Sequence, residues 1–112
     1  MAMNDKINEL LVKHKILLKN FRTIETGNFT KKRSLSIFFG VDLSQFRTLL
    51  YLRDAKSRFV SKDAISLIEI DKKVQSSENK IIKKKILFLN SALCSKAAKI
   101  LNENGFMIYD FV

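Results

Sequence analysis

Glu69, Asp71 and Lys73, in the stretch SLIEIDKKV (Ser66–Val74), have the types and spacing that could do chemistry. On a β-strand, side chains repeat every two residues, so the three would share one face. A metal-dependent nuclease presents its carboxylates and lysine in that way. On a helix, at about 100° per residue, Glu69 and Asp71 stand about 200° apart and the constellation dissolves. The β-branched Ile65, Ile68, Ile70 and Val74 favour a strand. Ser61 as an N-cap, Asp63 in a first turn, and the helix formers Ala64, Leu67, Glu69, Lys72, Lys73 and Gln75 favour a helix. No turn signal interrupts them before Ser76. We read residues 62–75 as helix, with SSENK as the loop to the next strand.

The other reactive side chains stand singly. His14 and Cys94 are the only residues of their kinds, and together they cannot complete a usual zinc set. His14 therefore reads as a partly buried histidine with a hydrogen-bond partner. Cys94 falls in the first turn of a predicted helix, where a thiol pKa tends to fall. With no base at hand it reads as a small buried hydrophobe. A lone cysteine also fits a reducing compartment, and the expected location is cytoplasmic.

The elements that must position these residues follow from pattern. Residues 4–21 read as a helix capped by Asn4, with Ile7, Leu10, Leu11, His14, Leu17, Leu18 and Phe21 on one stripe. Residues 22–33 read as a connection or short hairpin turning at Gly27-Asn28. SLSIFFGV and FRTLLYLR alternate as an antiparallel hairpin turning at Asp42–Gln45, and the second strand is apolar enough on both faces to be central. KKILFLN, SALCSKAAKILNEN and FMIYDFV read as strand, helix and strand, with Gly105 closing the helix. A connection of that length implies a parallel pair. The expected fold is α/β (or α+β), in three layers or two: N-terminal helix, antiparallel β-hairpin, helix, then β-α-β. It forms a single domain over residues 1–112, an ordinary size for one.

Charge bounds the partners. Lys and Arg total 21 against 11 Asp and Glu, for a net charge of +10. Such a field suits nucleic acid or another anionic surface. Lys31, Lys32, Arg33, Arg47, Arg53, Arg58, Lys83, Lys84 and Lys85 are the candidate phosphate contacts. The turn at Asn90-Ser91 lies at a strand's carboxyl end and a helix start, where Ser91, Ser95 and Lys96 would add donors to an anion. Charges punctuate the first twenty residues throughout, which excludes a signal peptide or spanning helix there.

The segment ILFLNSALCSKAAKILNENGFMIYDF is similar to the terminal strand–helix–strand of restriction-endonuclease-like domains of the Mrr type. An apolar strand is followed by small hydroxyl residues, an alanine-containing helix and a final apolar strand. The resemblance covers at most Asp54 to Phe111 and implies a metal-dependent nuclease. Asp54 or Asp63 would be the first metal carboxylate, Asp71 the second, Glu69 an auxiliary acid, and Lys73 the lysine that helps activate water. Magnesium would be the cofactor, polarising the phosphodiester and generating hydroxide. The same tail resembles the active-loop region of rhodanese-like domains. Anchoring on Gly105 puts Phe88 where their cysteine belongs, which argues against sulfur transfer.

The sequence reading is a small, basic, cytoplasmic domain that binds nucleic acid through phosphate contacts, without catalysis and without a cofactor. A magnesium-dependent nuclease is the first alternative. A protein-interaction or assembly module, working as a homo-oligomer or with a protein partner, is the second. No membrane partner is expected.

Overall fold

The computed structural model describes residues 2–25, 27, 29, 34–79, 82 and 84–110. In chain order these form α1 (Ala2–Lys13), β1 (Leu18–Ile24), β2 (Leu35–Asp42), β3 (Arg47–Arg53), α2 (Ser61–Glu78), β4 (Lys84–Leu89), α3 (Ser95–Glu103) and β5 (Phe106–Asp110). The strands make one sheet in the order β1-β2-β3-β4-β5. β1, β2 and β3 pair antiparallel, and β3, β4 and β5 pair parallel. The expected hairpin, helix and β-α-β unit are all present.

Alternation along the central strands feeds two cores. Ile37, Phe39, Leu49, Tyr51, Leu87 and Leu89 pack with Ala64, Leu67, Ile70 and Val74 of α2 and Ala97 and Leu101 of α3. Phe38, Leu50, Leu52, Ile86 and Phe88 pack with Ile7, Leu10 and Leu11 of α1. The sheet is thus covered on both faces, giving three layers, and β3 is central and buried as its composition predicts.

The first helix is shorter than expected. It ends at Lys13, and residues 18–24 form a strand absent from the sequence reading. Lys15 takes the left-handed conformation (φ 56°). Ile16 N–H donates to Leu11 O at 2.8 Å and Lys15 N–H to Val12 O at 3.1 Å. These are the two bonds of a Schellman stop, here without the usual glycine to announce it. The continued helical spacing has its own cause. A bulge between Lys19 and Arg22 keeps Leu18 and Phe21 on the α1 side, although three positions separate them. Relief of the left-handed strain predicts that Lys15→Gly raises stability by about 1 kcal/mol in urea titrations.

Leu18 also explains Gly40 across the sheet. A Cβ on Gly40 would meet Leu18 Cβ and Cδ1 at 3.0 Å. Gly40→Ala should therefore destabilise by about 1–3 kcal/mol, as overpacking does, read by the same titration.

Three smaller boundaries also move. α2 runs through Ser76 and Ser77 to Glu78 and stops at left-handed Asn79, so most of SSENK is helix rather than loop. Its N-cap position is Val60, not Ser61, and Asp63 Oδ2 accepts Val60 N–H at 2.9 Å. α3 begins at Ser95, which places Cys94 at the N-cap rather than in the first turn. Gly105, at φ 81°, follows the helix end as expected.

Candidate nucleic-acid interface

Helix α2 separates the residues of the opening stretch. Glu69 and Lys73 are exposed, while Asp71 is 3% exposed and faces the sheet. Asp71 Oδ1 accepts the Tyr51 hydroxyl at 2.7 Å, and Oδ2 accepts Gln75 Nε2 at 2.8 Å. Lys85 Nζ stands 3.4 Å from Oδ2 and 4.8 Å from the Phe106 ring centroid. Gln75 Oε1 in turn accepts Ile82 N–H at 2.8 Å, tying the helix to the approach of β4. The other acids are dispersed. Asp63 caps α2, and Asp54 Oδ1 accepts Asn90 Nδ2 at 2.7 Å. Among the described residues no three of His, Cys, Asp and Glu come close enough to share an ion. Among the described residues, Asp54, Asp63, Glu69 and Asp71 do not converge to hold a magnesium ion, and both oxygens of Asp71 are already engaged.

Burial, then the charge of Asp71 and its hydrogen bond, push the Tyr51 phenol above its ordinary value. A raised phenol contributes stability below its unfolded pKa of about 10, and that stability is lost above it. Tyr51→Phe should therefore flatten the fall in stability above pH ~10 by about 1.4 kcal/mol per pH unit, measured by urea titration across that range.

A second cluster forms at the carboxyl ends of β3 and β4, where two loops are stitched together. Arg53 Nη1 donates to Ser91 Oγ at 2.9 Å and to Ser57 O at 3.0 Å, and Nη2 donates to Ser57 Oγ at 3.0 Å. Its guanidinium lies 5.1 Å from the centroid of the Phe59 ring. Ala55 N–H donates to Asn90 Oδ1 at 3.1 Å, Phe59 N–H to Ala92 O at 2.8 Å, and Cys94 N–H to Phe59 O at 2.9 Å. The loops after both strands thus form one crown beside the start of α3. Lys56, Arg58, Lys62, Ser95 and Lys96 are exposed on it or next to it. Backbone N–H groups of Ala97 and Lys96, together with the charges of Arg58 and Lys96, hold the Cys94 thiol below its ordinary value. Alkylation of Cys94 should accordingly show a midpoint below that of a free thiol, and Arg58→Ala should move it upward.

The crown brings together Arg53, Arg58, Ser91, Ser95 and Lys96 from the predicted sets. Arg53 acts there as a brace. Arg47 and Lys84 lie at the opposite ends of β3 and β4, and Lys84 pairs with Asp42 at 2.7 Å. Its ammonium, with the Phe46 and Ser44 N–H groups, holds the Asp42 carboxyl below its usual range. Lys85 turns inward to Asp71. Lys31, Lys32, Arg33 and Lys83 lie outside the described residues. Lys56 and Lys62 flank Arg58 in the same segment, and the joining of the two loops sets that segment beside Lys96. Phe38, Tyr51 and Phe59, the aromatics near these basic residues, are buried core and offer no stacking surface to bases.

Fold and site together define a three-layer α/β domain on a mixed five-stranded sheet, with basic loops at the carboxyl ends of its parallel strands. Solved structures share this fold. EndoMS in its apo form matches with a TM-score of 0.59 at 15% identity, over 96% of this chain and 45% of its own. An EndoMS complex with double-stranded DNA matches at 0.54 and 14%, over 96% and 44%. A repair endonuclease from Pyrococcus abyssi matches at 0.57 and 15%, over 99% and 47%. The chain therefore spans less than half the length of these proteins. The resemblance read from the sequence thus meets a likeness of fold to these nucleases, and that likeness runs over nearly the whole chain rather than Asp54–Phe111 alone. No protein-family model and no curated protein matches the chain. Among the described residues, no helix is long and apolar enough to cross a membrane.

Proposed function

We propose that the chain is one cytoplasmic domain that binds nucleic acid through phosphate contacts and does not cut it. The convergence of Arg58 and Lys96 on the stitched crown, flanked by Lys56 and Lys62, carries this reading. The amino-terminal end of α3 adds a field of the same sign. Two of the fold's neighbours support the nucleic-acid binding in this reading: one was solved with double-stranded DNA, and another is described as a repair endonuclease. The nuclease alternative draws on the same likeness, but its acids are spread between a buried polar cluster, a helix cap and a loop.

Protection of Cys94 tests the interface. A labelled DNA duplex should slow alkylation of the thiol, and added salt should restore the rate as phosphate contacts are screened. Alkylation indifferent to a duplex that binds would place the contact elsewhere. Cleavage of that duplex in magnesium would favour the nuclease reading.

A further inference from the structure

The two edges of the sheet are guarded differently. The β1 edge is broken by its bulge, with Asn20 left-handed and Lys19 and Arg22 exposed. Bulges and charges of this kind discourage strand addition. β5 pairs with β4 over Phe106–Asp110 with no such break. Among the described residues no strand pairs with its outer edge, and its Met107 side chain is 45% exposed.

Helix α1 stops short on the same side of the sheet. It leaves a cleft of about 360 Å³ over Ile86, Met107 and Tyr109, walled by the turn after α1 and the turn after β2. Leu17 and Leu43 on those walls are 63% and 68% exposed. His14, expected to have a hydrogen-bond partner, has a buried Nε2 with none among the described residues, and its ring lies 4.5 Å from that of Tyr109. Lys15 is exposed on the rim, while Lys84 is already paired with Asp42.

We propose that this edge and cleft dock an extended segment of another protein in which apolar residues alternate with acidic ones. Strand addition supplies partners for the outer amides of β5, and side chains on one face of the added strand enter the cleft. Apolar groups there cover Met107 and Leu17. The carboxylates, at the alternate positions, project from the other face of the added strand and meet the +10 field of the chain. A second copy brings a like charge of +10, which opposes self-addition. A nucleic-acid backbone offers phosphates and leaves the exposed leucines and methionine uncovered.

The test uses two eight-residue peptides of equal composition, one alternating glutamate and valine, the other with the same residues in two blocks. The alternating peptide should slow amide exchange in β5 and bind at least about tenfold tighter than the block peptide. Met107→Lys should weaken it by about tenfold or more, as loss of a central anchor does. Met107→Leu should retain it, and duplex binding at the crown should survive both changes. Equal affinity for the two peptides, unchanged exchange in β5, or displacement of the peptide by duplex would overturn the proposal. So would a β5-mediated dimer, abolished by Met107→Lys, in a chain that takes up neither peptide.

Discussion

Asp71→Ala is expected to cost about 3–5 kcal/mol of folding stability, because it leaves buried partners of a charged group without their acceptor. Tyr51 is fully buried, and the Lys85 side chain is 13% exposed. Neither recovers full hydration when the carboxylate goes. The damage also spreads along the chain, since Gln75 bridges Asp71 to the Ile82 backbone. Asp71→Asn should cost less, because an amide oxygen still accepts the Tyr51 hydroxyl. Urea titration of the three proteins measures this directly. A nuclease site would behave differently, with Asp71→Ala losing cleavage while stability held. A loss under about 1 kcal/mol, the size of one ordinary hydrogen bond, would contradict the structural role.

Reversing two charges on the crown should act on binding and leave the fold alone. Arg58→Glu combined with Lys96→Glu is expected to lower affinity for duplex DNA about 100-fold near 0.1 M salt, by removing two phosphate contacts and adding repulsion. Both side chains are exposed, so stability should stay within about 0.5 kcal/mol. The double variant carries an internal control. The Cys94 thiol, no longer facing two cations, should move back toward its ordinary value and alkylate more slowly at neutral pH. Slower alkylation with unchanged DNA affinity would show that the charges had been altered and that phosphate does not bind there.

Much of the fold was legible because apolar periodicity reports burial. The β2–β3 hairpin and the β4–α3–β5 unit follow from alternation and continuous apolar runs. The helix over residues 62–75 could be read from its start, where Asp63 closes back on Val60. β1 was hidden because its bulge reproduces helical spacing between Leu18 and Phe21. The stop before it was hidden because Lys15 occupies a conformation that sequence normally advertises with glycine. At the site, the separation of Glu69, Asp71 and Lys73 followed once the helix was chosen. The bond from Asp71 to Tyr51 spans twenty positions and depends on how α2 rotates against β3. No local pattern encodes that rotation. The crown was half legible for the same reason: Arg53 and Arg58 were candidates, but their meeting with Lys96 requires the parallel pairing of β3 and β4.

Whether nucleic acid binds through phosphates is best tested by the salt dependence of affinity for a labelled duplex. With about four contacts from the crown, affinity should fall about 100-fold between roughly 50 and 200 mM salt. A flat dependence over that range would contradict the account.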